Sequence, residues 1–222
     1  MRATVSRLSF VMMSLLTLAP AAGGAQMPGV PVLQNAFANP GITAALDVAS
    51  QGGASTYGLA AGWAPGSARF QLSAGLGIQT RTKTPNRTVY GGRVNVPVYG
   101  TRGGSLGASL FGGLGALAGR DLDSGLAKNV IPAGATISYR LNLGASHGVS
   151  VYGSPMYQWI TRGGSAGNTS VFRVSAGLDV AVTNAIGLTL GVELGQTGEP
   201  GSGKPTNTAF GAGLSYVLGG AR

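Results

Sequence analysis

The chain has 222 residues, of which 44% are hydrophobic and only 9% charged, with a formal net charge of +9 and no cysteine. Proteins average about 25% charged residues, so a soluble domain with this composition would struggle to cover its own surface. The absence of cysteine excludes disulfides and thiol chemistry.

The first 25 residues have the layout of an export signal. Arg2 and Arg7 form a basic start, Leu8 to Ala19 is a short apolar core, and Gly23-Gly24-Ala25 supplies small residues for cleavage before Gln26. An inner-membrane anchor is the competing reading, but the apolar run is short for a spanning helix. Residues 26–40 contain Pro28, Pro31 and Pro40 without periodicity and read as a periplasmic lead-in. No later run is long and apolar enough for a transmembrane helix.

From residue 41 the pattern changes to alternation. Ten strands are expected, over Gly41–Ala49, Thr56–Ala64, Arg69–Arg81, Thr88–Tyr99, Leu106–Leu117, Ile131–Leu143, Val149–Thr161, Val171–Val182, Ile186–Gly195 and Thr208–Leu218. Each is long enough for a tilted strand to cross a bilayer, which takes about 9–11 residues. Ile186 to Gly195 reads I-G-L-T-L-G-V-E-L-G. Successive side chains of a strand point to opposite faces, so one face here is wholly aliphatic and the other small or polar. Phe70, Leu72, Ala74, Leu76 and Ile78 oppose Gln71, Ser73, Gly75, Gly77 and Gln79 in the same way. The first, second, fourth and seventh strands alternate more weakly. The first two are so rich in Ala and Gly that eight strands stand as an alternative to ten. Leu106–Leu117 is apolar on both faces and would turn Phe111 inward.

The loops carry a second regularity. Connections at Pro65–Ala68, Gly100–Ser105, Gly144–Gly148 and Thr183–Ala185 are short, whereas Thr82–Arg87, Ala118–Val130, Arg162–Ser170 and Gln196–Asn207 are longer. Short periplasmic turns alternating with longer external loops are what an outer-membrane meander requires. The hairpin at Gln51-Gly52-Gly53 is the one short external exception. Aromatic girdles follow from this orientation. Tyr57, Tyr90, Tyr157, Trp159, Phe172 and Phe210 fall near external strand ends, and Trp63, Phe70, Tyr139 and Tyr216 near periplasmic ends.

These features together resemble the small outer-membrane β-barrel proteins of Gram-negative-type bacteria. The last strand, Gly211-Ala212-Gly213-Leu214-Ser215-Tyr216-Val217-Leu218, is similar to the C-terminal assembly signal of that class through Gly213, Tyr216 and Leu218. It departs in having Gly211 where a polar residue is usual, and in running on through residues 219–222. The resemblance implies an all-β, up-and-down antiparallel barrel over residues 41–218, outer-membrane localisation and delivery by the barrel-assembly machinery.

Other motifs weigh little. Gly198 to Pro205 approaches a phosphate-binding loop, but Pro205 replaces the Ser or Thr that holds magnesium and no helix pattern follows. His147 is the single histidine and falls in a predicted periplasmic turn, away from an external active site. One histidine and no cysteine leave a transition-metal site without ligands. Asp121 and Asp123 lack the spacing of a calcium loop. Arg-Gly-Gly or Gly-Gly-Arg triplets at Gly91–Arg93, Arg102–Gly104 and Arg162–Gly164 are dispersed, so hairpin chemistry is preferred to RNA binding. Neither a cofactor nor a nucleic-acid partner is expected. The basic residues Arg81, Lys83, Arg87, Arg102, Arg120, Lys128, Arg162 and Lys204 fall mostly in predicted loops and suit anionic lipid headgroups or plain solvation.

Six charges take the polar face of their strands: Asp47, Arg93, Arg140, Arg173, Asp179 and Glu193. Inside a narrow barrel each must be paired or hydrated. Two arrangements satisfy this, a structural network that plugs the lumen or a narrow charge-lined conduit. The expected function is therefore non-enzymatic, with a structural or surface role or slow passage of small polar solutes. An enzyme using Asp121 and Asp123 at the external rim, and a secreted β-sandwich adhesin, are the alternatives.

Overall fold

The computed structural model describes residues 40–218 apart from 52, 82–83, 101–103, 120–126, 143–147, 163–166, 184 and 197–205. The expected signal peptide, all but the last residue of the lead-in, and the tail at 219–222 lie outside the described residues.

Ten strands follow in order: β1 (Gly41–Gln51), β2 (Ala54–Ala64), β3 (Gln71–Arg81), β4 (Thr84–Tyr99), β5 (Leu106–Ala118), β6 (Ala127–Asn142), β7 (Gly148–Arg162), β8 (Thr169–Ala181), β9 (Ile186–Gln196) and β10 (Thr206–Leu218). Each pairs antiparallel with its sequence neighbour, and β1 pairs with β10, from Ile42 opposite Leu218 to Gln51 opposite Ala209, to close the barrel. Ten strands rather than eight is the outcome. The Ala/Gly-rich β1 and β2 have weak strand signals of their own, but each is paired on both sides along its length. Closure leaves no edge with unpaired backbone groups, which a lipid environment would penalise.

Alternation decides which side chains face outward. On β1, Ile42, Leu46 and Val48 are exposed while Thr43, Ala45, Asp47 and Ala49 are buried, and on β10 Phe210, Leu214, Tyr216 and Leu218 are exposed while Ala209, Ser215 and Val217 are buried. The apolar face is thus outside and the small or polar face inside, the inverse of a soluble protein.

Prolines interrupt the ladder within this closed wall, Pro132 at the gap in β5–β6 pairing between Gly112–Ala133 and Gly115–Val130 among them. Pro155 has no N–H to give Ala135 on β6, and the β6–β7 pairing is broken between Gly134–Met156 and Ile137–Gly153. The Ser154 hydroxyl fills the gap by donating to the Ala135 carbonyl at 3.0 Å. The β4–β5 register shifts between Pro97 and Tyr99, so Pro97 is taken up by a bulge.

The structure corrects three boundaries. β3 starts at Gln71 instead of Arg69, leaving Phe70 in the preceding turn against Trp63, with ring centroids 5.6 Å apart. β4 starts at Thr84 instead of Thr88, which takes Arg87 out of the expected loop and into the wall. The Thr82–Arg87 stretch reads as a loop, but Arg81 opposite Thr84 carries the β3–β4 ladder past Pro85 and Asn86. β6 starts at Ala127, which brings Lys128 into a strand. As a result the β3–β4 connection, expected to be external, is only 82–83, shorter than the 65–70 and 100–105 connections expected to be periplasmic. The alternation of short and long loops therefore holds only for the second half of the chain.

Candidate functional site: the lumen

Among the described residues the outer face is apolar and aromatic. Tyr57, Tyr90, Tyr157, Trp159, Phe172 and Phe210 are exposed toward one end of the barrel, and Trp63, Tyr139 and Tyr216 toward the other. Tyr99, passed over in the sequence, joins the second group. Tyr157 and Phe172 lie opposite each other on β7 and β8 and pack edge to face at 5.3 Å.

The inner face is where charge collects. Of the six lumen charges anticipated from parity, Asp47, Arg93, Arg173, Asp179 and Glu193 are buried and Arg140 is half-buried. Arg87 makes a seventh. Arg173 on β8 and Glu193 on β9 are diagonal neighbours, since Arg173 faces Gly195 and Glu193 faces Ser175. Arg173 Nε donates to Glu193 Oε1 in an ion pair whose two side chains are 2% and 4% exposed. Arg173 Nη1 donates to the Gln196 carbonyl at 2.7 Å and to Asn207 Oδ1 at 3.0 Å. Gln158 Nε2 donates to Glu193 Oε1 at 3.3 Å, and Gln51 Nε2 to Asn207 Oδ1 at 3.3 Å. The network thus runs from β7 across β8, β9 and β10 to β1, spanning the seam where the barrel closes.

A second filled zone lies on β4, β5 and β7. The Arg93 guanidinium stacks on the inward ring of Phe111, 3.9 Å from its centroid. Tyr152 and Met156 are also buried inward. Neither was singled out in the sequence, although Ser150-x-Tyr152-x-Ser154-x-Met156-x-Gln158 has the period of two that would have identified them.

Inward glycines make this filling possible. A Cβ at Gly195, where φ is +152°, would lie 2.8 Å from Arg173 Cα and 2.9 Å from Arg173 Cγ. One at Gly177 would collide with the Tyr152 hydroxyl and the Leu190 carbonyl, and one at Gly134 would lie 2.8 Å from Met156 Cβ. At these positions the glycines neither leave water-filled space nor merely tighten the barrel. They seat the large side chains of neighbouring strands.

Polar groups away from the large side chains are also enclosed. Ser109, Thr136, Ser154 and Ser175 line the inner face of β5 to β8, each 0% exposed, and Thr136 and Ser154 share a hydrogen bond of 2.8 Å. Thr189 donates to Asp179 Oδ1. Asp47, 4% exposed, stands between Gly58 and Gly213 and forms no hydrogen bond or ion pair with a described residue. Toward the mouth expected to be external, Ala49 and Val89 meet with Leu117 against them, and Val130, Ile160 and Val171 form a second apolar cluster. Inward side chains that keep partial exposure sit toward the mouths: Ser73, Pro97 and Arg140 at one, Gln51, Gln79, Leu117, Gln158 and Asn207 at the other.

Among the described residues no group of three His, Cys, Asp or Glu could hold a metal ion. Asp121, Asp123, His147, Glu199 and Lys204 lie outside the described residues.

No protein-family profile and no curated protein matches the sequence. In fold the chain is similar to a bacterial polysaccharide outer membrane secretin, with a TM-score of 0.45 and 10% identity, covering 80% of this chain and 64% of that one. It is similar to LpxR from Salmonella typhimurium, with a TM-score of 0.45 and 8% identity over 74% of this chain and 73% of that one. It is also similar to a KdgM porin in complex with disordered oligogalacturonate, with a TM-score of 0.42 and 8% identity over 79% and 99% of the two chains. Full closure, an apolar outside and a polar inside are the architecture of an outer-membrane β-barrel, and this chain has that architecture.

Proposed function

We propose that the chain is a non-enzymatic outer-membrane barrel with a sealed lumen, serving as a structural or surface element of the membrane rather than as an open pore. The observation that carries this reading is the 0% exposure of the inward hydroxyls Ser109, Thr136, Ser154 and Ser175. Hydroxyls on the wall of a water-filled channel would be wet, and these are not, in a lumen that also holds the buried Arg93, Phe111, Tyr152, Met156 and Arg173. A barrel of about eight strands is just filled by its side chains, and here glycine lets ten strands be filled as well.

Planar-bilayer recording tests the proposal. The purified barrel is expected to give no discrete conductance steps, while Arg173→Ala/Glu193→Ala, which removes the buried ion pair, is expected to give them. Steps from the unmodified protein would favour a narrow solute pore. The enzymatic alternative rests on Asp121 and Asp123 at the external rim. A catalytic activity abolished by Asp121→Asn/Asp123→Asn would restore it.

The same reading extends to partners. Gly213 faces inward while Tyr216 and Leu218 face outward on β10. This leaves the two large side chains available for recognition by assembly machinery. Anionic headgroups are the expected lipid partners of the basic rim.

A further inference from the structure

Three polar side chains share one hydrogen-bonded row of the inner face across β2, β3 and β4. Thr56 lies opposite Gln79, and Gln79 opposite Arg87. Thr56 and Arg87 are buried, 4% and 7% exposed, while Gln79 keeps partial exposure toward the mouth at the β3–β4 hairpin. None of the three side chains forms a hydrogen bond or ion pair with a described residue, and Arg87 Nη2 is enclosed without an acceptor among them. A buried guanidinium stays charged and demands a partner. Arg173 has Glu193, and Arg93 has the ring of Phe111. Arg87 has neither a carboxylate nor a ring among the described residues.

The position of Arg87 is fixed from both sides. Gly119, just past the end of β5, lies so close that a Cβ there would stand 3.1 Å from Arg87 Cγ. One inward position deeper on β4, Val89 is 1% exposed and meets Ala49 of β1, with the half-buried Leu117 of β5 against them. Ala49 is also the residue directly opposite Thr56. A guanidinium, an amide and a hydroxyl thus stand beside an apolar floor. The row holds a single cation, which balances the one charge of a carboxylate. A phosphate, at about −1.5 to −2, would be left under-neutralised next to Val89 and Leu117.

We propose that the inner face at this mouth binds a small organic carboxylate. Arg87 takes the carboxylate as a charge-assisted, two-oxygen contact, Gln79 and Thr56 supply further hydrogen bonds, and Ala49, Val89 and Leu117 receive the carbon chain. The proposal rests on the reading of an outer-membrane barrel with a sealed lumen, and adds a ligand that enters one mouth and stops there.

Butyrate is the probe. Saturation-transfer NMR on the folded barrel in nonionic detergent is expected to show saturable contact with the butyrate methyl group. Butyramide, which keeps the chain and lacks the charge, is expected to show none. Inorganic phosphate at equal concentration is expected not to displace butyrate. Arg87→Gln is expected to abolish the contact. Gln79→Leu, at a partly exposed position that threatens folding less, is expected to weaken binding about tenfold. Arg140→Gln, which removes a lumen charge toward the other mouth, is expected to leave it unchanged. Heat-modifiable migration of every variant establishes that the barrel is folded. Unchanged binding in Arg87→Gln or in Gln79→Leu, or no saturable contact with the unmodified protein, overturns the site. Equal contact with butyramide overturns recognition of the charge, and displacement by phosphate overturns the carboxylate assignment in favour of a phosphate ligand. Bilayer conductance separates the two readings. Conductance steps with butyrate binding intact remove the sealed lumen and leave the site, and absent binding without steps does the reverse.

Discussion

Arg173 and Glu193 illustrate the demand that a narrow lumen places on a single charge. Neither side chain is left to water, so each depends on the other and on Gln158, Gln196 and Asn207. Arg173→Met strands a buried carboxylate and is expected to cost about 3–5 kcal/mol. The double variant Arg173→Met/Glu193→Leu is expected to recover most of that loss, read as the midpoint of heat-modifiable migration. Asp47 predicts the opposite sign. It is buried with no partner among the described residues, so Asp47→Asn is expected to raise the midpoint. A lowered midpoint would mean that Asp47 is compensated in the membrane. Parity along each strand is legible in sequence, and it put Arg173, Glu193 and Asp47 on the inner face. Which charges meet was not legible, because that depends on the stagger between strands. Arg173 reaches Glu193 only because Gly195 and Ser175 are the residues directly opposite them.

At the scale of the strand, alternation located all ten elements, including Phe111 turned inward on β5. It failed at ends where turn-forming residues continue in a strand. Thr84-Pro85-Asn86 looked like the loop before β4, yet pairing with β3 carries the wall through it and buries Arg87. Loop length was a weaker guide to orientation than alternation was to strands, because the hairpins at 52–53 and 82–83 are tight. Nor did composition reveal the purpose of the inward glycines, since their use depends on residues one strand away. Two substitutions test these local devices. Gly195→Ala places a methyl against Arg173 and the Phe172 carbonyl, 2.6 Å away, at a φ that disfavours alanine. It is expected to lower the heat-modification midpoint. Ser154→Ala removes the donor that replaces the missing N–H of Pro155, at an expected cost of about 1–3 kcal/mol for an unsatisfied carbonyl in the wall.

For the molecule as a whole, the outward aliphatic face and the inward polar face are two readings of one period-two pattern, and closure turns them into an outside and an inside. The lumen network adds a link between assembly and permeability. Gln51 on β1 reaches Asn207 on β10, which also receives Arg173. A chain whose first and last strands have not yet met lacks that link, and its ion pair on β8 and β9 lies one strand in from an open edge. The final zipping of β1 onto β10 therefore makes the wall continuous and caps its contents in the same step, so a half-inserted intermediate would be leaky and the finished barrel tight.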